Sequence, residues 1–250
     1  MRILISNDDG IDAPGLAELA EAAEALGEVW VCAPEQEQSA MSHALTMREP
    51  VYAEPRGPRR FAVKGTPADC VYLALHHLID DEVDLVLSGI NRGSNLGSDV
   101  YYSGTVAAAR EATLHGTHAL AVSLHLEPGT REPDYGPAAE LAVQLARRVL
   151  ADGLPPLTLL NLNVPPRPLH DIKGMRAAPL SVRRYSKRVD CRTDPRGRSY
   201  YWIGGDHVDY APDRGADGPL LEAGYAPVTP LCLSSTDDAV LEMLRDWPEL

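Results

Sequence analysis

An α/β fold built on a mainly parallel sheet is predicted by two features of this 250-residue chain. Through the first two thirds, short strand-like runs alternate with helical segments, the pattern of a parallel sheet covered on both faces. Several of the runs, such as "VDLVLSG" (83–89), are apolar almost throughout rather than alternating, as expected of strands buried on both sides. After Pro165 the texture changes to Pro-, Gly- and Arg-rich sequence, which reads as a β-hairpin and tail extension attached to the main sheet. The predicted division is therefore a sheet-bearing core over 1–165 and a C-terminal segment over 166–250 that is a candidate oligomer contact.

"RILIS" (2–6) reads as the first strand. "GLAELAEAAEAL" (15–26) has helical composition and period, with Pro14 just before it. "EVWVC" (28–32) and "FAVKG" (61–65) are strands. Thr66 is the N-cap candidate of "PADCVYLALHHLI", with Pro67 at the first helical position and Asp69 in the first turn. The strand "VDLVLSG" precedes a helix "TVAAAREATLHG" (105–116), closed by Gly116. "ALAVSLH" (119–125) and "LTLLNLNV" (157–164) flank the helix "PAAELAVQLARRVL" (137–150). In the extension, "SVRRYS" and "SYYWIGG" are short β-like pieces, and "TDDAVLEMLRDW" (236–247) is a terminal helix with a Thr or Asp cap.

Composition narrows the function. The formal net charge of −13 argues against a protein that binds nucleic-acid polymers, which needs a basic footprint. An anionic substrate then requires local positive potential from a metal, a helix N-terminus or arginines. No apolar run approaches the ~18 residues of a membrane span, and no secretory h-region follows the N-terminus, so a cytoplasmic protein without membrane contact is expected. The four cysteines (Cys32, Cys70, Cys191, Cys232) are scattered without zinc-ligand spacing.

Ligands of open parallel sheets bind beyond the carboxyl ends of the strands. Three loops leave such ends carrying polar groups: Asn7-Asp8-Asp9-Gly10, the segment with Ser39 and His43, and "INRGSNLGSDVYYSGT". Adjacent side chains on a strand point to opposite faces, so Asp8 and Asp9 converge only past the strand end, where Gly10 frees the backbone. The pair is either a solvated turn or an oxygen site for Mg²⁺ or Mn²⁺. Asn91 and Asn95 offer amide groups, and Ser103, Gly104 and Thr105 open a helix whose N-terminus suits a phosphate. The GxGxxG and P-loop patterns are absent. His43 is either a donor to a phosphate or an ordinary loop histidine, and the "RR" and "KR" pairs at 183–184 and 187–188 are a solvated face, a subunit contact or an anion-facing patch.

The blocks "ILISNDDGIDAPG", "VKGTPADCV", "LVLSGINRGSNLG", "YSGTVAAAREA", "DPRGRSYYWIGG" and "GYAPVTPL" resemble the survival protein SurE family in order and spacing. That resemblance implies a Rossmann-like three-layer α/β/α fold. It also implies a cytoplasmic, metal-dependent phosphatase of nucleoside 5′- and 3′-monophosphates, in some members also of short polyphosphate, assembled as a homodimer or homotetramer. Carried over by position, the ligands of one divalent metal ion per subunit (Mg or Mn) are Asp8, Asp9, Ser39 and Asn91. The phosphate-facing residues are Asn95, Ser103, Gly104 and Thr105, and Asp8 or Asp9 orients or deprotonates the attacking water. The sequence departs from the family pattern at Ala40, where glycine usually follows the serine, and at "LSSTD" (233–237), where "LDLTD" is usual. Two rival readings remain. An aspartyl-phosphate phosphatase needs a DxD spacing where this chain has adjacent acids. A receiver-like signalling module is about half this length and needs an aspartate after its third strand.

Overall fold

A computed structural model of the chain describes residues 1–186, 188–204, 207–210, 213 and 215–247. The first half runs β1 (Arg2–Ser6), α1 (Pro14–Ala23), β2 (Glu28–Pro34), β3 (Tyr52–Gly57), β4 (Arg60–Lys64) and α2 (Pro67–Leu73), then β5 (Leu85–Arg92) and α3 (Gly104–Leu114). There follow β6 (His118–Leu124), α4 (Gly136–Asp152) and β7 (Thr158–Val164). Beyond Pro165 come β8 (Met175–Ala177), β9 (Arg183–Tyr185), β10 (Val189–Thr193), β11 (Ser199–Ile203) and β12 (His207–Tyr210). The chain closes with α5 (Asp217–Glu222), β13 (Ala226–Cys232) and α6 (Asp238–Arg245).

The main sheet has the order β3-β4-β2-β1-β5-β6-β7-β13-β8. From β4 to β7 all neighbours are parallel, while β3 pairs antiparallel with β4 and β13 antiparallel with β7. The β1 residues show why the layers form. Ile3 and Ile5 pack under α1 and α4 with Leu16, Leu19, Ala138 and Ala142. Leu4, between them, points to the opposite face, against Cys70, Val71, Val106 and Ala109 of α2 and α3. Alternation along a doubly covered strand makes it apolar on both sides. The expected three-layer α/β/α fold with a mainly parallel sheet is the one observed.

Chain order places the switch point. From β1 the chain moves outward to β2 and β4, then returns to lay β5 on the other side of β1. The β1–β5 register aligns Ile5 with Leu87 and Ser6 with Ser88, so the segments after both strands leave the sheet side by side. A crevice at such a reversal is the usual ligand site of open α/β sheets.

Local signals explain the caps. Thr66 and Asp69 form a reciprocal capping box on α2, the Ser103 hydroxyl accepts from Val106 N on α3, and Asp237 accepts from Val240 N on α6. Gly116, at φ +82°, lies just past the end of α3. Five strands lie outside the sequence expectation: β3, β8, β10, β12 and β13. β3 is an exposed edge strand containing Pro55, which edges tolerate because they leave N–H groups unpaired. β13 carries two prolines and nevertheless pairs with both β7 and β8. The extension thus feeds two strands into the main sheet, while β9–β12 and β10–β11 form separate two-stranded ladders. Of the motifs singled out in the extension, Lys187 and Gly205 lie outside the described residues. No helix among the described residues is long and apolar enough to cross a membrane.

Candidate active site

β1 ends at Ser6 and the chain turns at once. Asn7 brackets the turn, donating from Nδ2 to Gly10 O (3.0 Å) and accepting from Gly10 N (3.2 Å). Gly10 sits at φ +103°, a conformation that L side chains rarely adopt. Asp8 and Asp9 therefore lie outside the pleat, where both face one cleft.

Asp8 is only 5% exposed. Its Oδ1 accepts from Thr105 Oγ1 at 2.5 Å, and its main-chain oxygen accepts from Gln38 N at 2.7 Å. Burial pushes the Asp8 carboxyl up from its ordinary value, opposed by the Thr105 hydroxyl and by the main-chain N–H groups of Thr105 and Gly104. The N-terminus of α3 thus bears on Asp8 itself, with its partial positive charge. Gly104 makes this approach possible: a Cβ there would lie 2.6 Å from Asp8 Cβ. Asp9 Oδ2 accepts from Arg92 N at 3.0 Å. Burial first, and the neighbouring Asp8 charge second, raise its pKa to about 6.

A cleft of about 310 Å³ brings together Asp8, Asp9, Ser39, Asn91, Asn95 and Ser103. Ser39 arrives from the loop after β2, its hydroxyl donating to Glu37 Oε1 at 2.6 Å. Asn91 arrives at the end of β5, where Nδ2 donates to Gly93 O at 2.8 Å and fixes the amide plane. Gly104 and Thr105 do not line the cleft; they are buried behind Asp8. Ser103 is thus the member of the helix-opening trio that faces the open space.

The donor set fits a hard divalent cation. Burial raises both carboxyls, and for Asp9 the Asp8 charge adds to it, so a cation between them would favour their ionised forms. The groups beside them, a hydroxyl and an amide, are neutral oxygen donors of the kind Mg²⁺ and Mn²⁺ take. Among the described residues no group of three or more His, Cys, Asp or Glu side chains could hold a metal ion, so this donor set has only two carboxylates and depends on neutral oxygens for the rest.

Several residues that hold this cleft escaped the sequence reading. Asn163 Oδ1 accepts from Asn95 N (2.8 Å), and the Asn161 and Asn163 side-chain amides both donate to Asn95 O (2.8 and 3.0 Å). Their signal was present as asparagines at alternate positions of the otherwise apolar "LTLLNLNV". Asp217, fully buried, accepts from Gly97 N (2.9 Å) and Ser181 N (2.8 Å), tying the cleft loop to the extension. Arg183, the first residue of the RR pair singled out in the sequence, is 12% exposed and pairs with Asp99, which lines the same cleft, so it is not part of a solvated face. His43 faces α3, where Nε2 meets Glu111 Oε2 at 2.6 Å. Glu111 also meets His115 (3.0 Å). Burial pushes the Glu111 carboxyl up, but its hydrogen bonds to His43 and His115 outweigh that and hold it below its ordinary value. His43 is thus a strut of the Ser39 loop, outside the lining of the cleft.

The family model described as Survival protein SurE matches residues 3–187. A protein named 5′-nucleotidase SurE from Anaeromyxobacter sp. (strain Fw109-5) is 51% identical over 250 residues, covering 99% of this chain and 96% of the relative. Another of the same name from Geobacter metallireducens is 46% identical over 247 residues, covering 99% and 97%. Among solved structures, the crystal structure of the SurE protein from Aquifex aeolicus is similar with a TM-score of 0.88 at 36% identity, covering 98% of both chains.

Proposed function

The chain belongs to the Survival protein SurE family, and from that premise we propose that it is a metal-dependent 5′-nucleotidase. It hydrolyses nucleoside monophosphates to nucleoside and phosphate, 3′-monophosphates and short polyphosphate being further substrates of the same cleft. The observation that carries this reading is the convergence of Asp8, Asp9, Ser39 and Asn91 in one cleft with Asn95 and Ser103. Relatives named 5′-nucleotidase that match it almost end to end support it.

In this proposal Asp8, Asp9, Ser39 and Asn91 hold one Mg²⁺ or Mn²⁺. When bound, the ion supplies Lewis-acid polarisation of the phosphoryl group and a lowered pKa for water. The chain's own groups do the rest. Asn95 and Ser103 receive the phosphoryl oxygens at the mouth of α3, where the helix field favours an anion. Gly104 and Thr105 hold Asp8 in place from behind. In this reading Asp9 or Asp8 orients or deprotonates the attacking water. We assign the segment 166–250 to subunit contact in a homodimer or homotetramer. The β10–β11 ladder is exposed on both faces, with Trp202 63% and Ile203 90% exposed, and an isolated two-stranded ladder is marginal in water. A cytoplasmic setting suits this substrate.

The test is phosphate release from a panel of nucleoside monophosphates and polyphosphate, with Mg²⁺ and Mn²⁺ assayed separately and a chelator control. Metal-dependent release from nucleoside 5′-monophosphates is expected. Absence of such release with either ion overturns the proposal.

A further inference from the structure

The Asp8–Asp9 cleft is lined mainly by polar side chains, and a second space opens beside it. A cavity of about 590 Å³ opens at the carboxyl ends of β2 and β4, lined by Glu35, Gln36, Gln38, Met41, Thr46 and Tyr52 among others. One stretch of chain separates the two spaces. Gln36, Gln38 and Met41 line the cavity, while Glu37, Ser39 and Ala40, interleaved with them, line the cleft. The order β4-β2-β1 puts the cavity one to two strand spacings from the aspartate turn, roughly 5–10 Å along the sheet edge. The phosphorus-to-base span of a mononucleotide is of that order.

We propose that this cavity is the nucleoside subsite of the enzyme, taking the base and ribose of a mononucleotide whose phosphate occupies the Asp8–Asp9 cleft. The inference rests on the phosphatase reading above. Its lining has the chemistry of base recognition. Tyr52, 60% exposed on the edge strand β3, presents an aromatic face, and Met41, 43% exposed, a polarisable one. Gln36 and Gln38 each carry a donor and an acceptor for a base edge, and the Thr46 main-chain N–H and hydroxyl are already engaged by Asp69 (2.8 and 2.6 Å), which fixes the far wall. Of the charged groups in the lining, Glu35 is engaged by Arg56 at 3.2 Å, and Glu49 and Lys64 carry opposite charges. The volume lies within the usual range for a small-ligand pocket.

Two measurements on the Mn²⁺-loaded protein, its Tyr52→Ala variant and its Gln36→Ala variant test this. Calorimetric titration with adenosine reads the cavity without turnover: binding is expected in the parent, weakened roughly tenfold in Tyr52→Ala by loss of one base–aromatic stack. Kinetics on adenosine 5′-monophosphate and on ribose 5-phosphate should show a preference for the nucleotide that falls by about the same factor in Tyr52→Ala and by less in Gln36→Ala. Adenosine that does not bind, or a preference between the two phosphates that neither variant changes, overturns the subsite. Phosphate release from ribose 5-phosphate by the parent reads the chemistry alone, so failure of the phosphatase reading is seen separately.

Discussion

The Thr105 hydroxyl donates to Asp8 Oδ1 at 2.5 Å, joining residues 97 positions apart in the chain. The bond links the first turn of α3 to the turn after β1, across the switch point of the sheet. It keeps a buried carboxylate oriented toward the cleft while the main-chain N–H groups of the same helix end favour its charged form. Thr105→Val removes the donor while keeping the shape. The expected result is a 10–100-fold loss of Mn²⁺ affinity, roughly the cost of deleting an outer partner of a metal ligand. Stability falls by about 1–3 kcal/mol, the penalty for a buried acceptor left short of a partner. Metal titration and urea unfolding read the two effects.

Gly104 makes a sharper demand. A methyl group at this position meets Asp8 Cβ at 2.6 Å and Oδ2 at 2.9 Å, and Asp8 Cβ, unlike the tip of a long side chain, cannot swing away. Gly104→Ala therefore displaces the carboxylate. A shift approaching 1 Å costs about a hundredfold in turnover, and kcat on a nucleoside monophosphate should fall by that order while circular dichroism stays that of a folded α/β protein.

The raised pKa of Asp9 has a consequence for stability. An acid with a pKa of about 6 in the folded state and an ordinary value of 3.8 keeps its proton longer when folded. Relative to Asp9→Asn, the metal-free parent is then at its best below pH 3.8 and loses stability as pH rises through about 6. The loss is at most about 3 kcal/mol. Saturating Mn²⁺ reverses the trend, because the ion favours the charged carboxylate. Thermal unfolding of both proteins from pH 4 to 8, with chelator and with Mn²⁺, checks the sign.

The core of the fold was legible because its strands are buried on both faces: "RILIS", "VDLVLSG" and "ALAVSLH" leave no other economical reading, and their order implied the crossovers. The polar turn after β1 was legible for the same reason, since Asn7-Asp8-Asp9-Gly10 interrupts an apolar run at a strand end. β3 and β13 were not, because prolines and exposed edges break the usual pattern and pairing with distant strands supplies the order. The clasp on the cleft loop was illegible in another way. Asp217 reaches Gly97 across 120 positions, and no periodicity announces a contact of that kind. Likewise, "SGT" read as a phosphate-facing helix start, whereas Gly104 and Thr105 turn to Asp8, a distinction that only the packing of α3 against β1 can draw.

Ala40, directly after Ser39, stands at φ +60°. The left-handed conformation costs an alanine about 1–2 kcal/mol, and glycine escapes that cost at the expense of some unfolded-chain entropy. Ala40→Gly should therefore stabilise the protein by about 0.5–1 kcal/mol, measured by urea unfolding in chelator. A destabilised variant would mean that the loop is not left-handed here.

In the proposed enzyme, oxygen donors from three separate crossovers hold one divalent ion. The decisive measurement is calorimetric titration of Mn²⁺ into the chelator-stripped parent and into Asp8→Asn, with thermal unfolding of both. The expected result is one ion per chain in the parent and loss of that binding in the variant, which stays folded and is no less stable in chelator because a buried charge has been removed. A parent that binds no Mn²⁺, or an Asp8→Asn protein that binds it equally well, would contradict it.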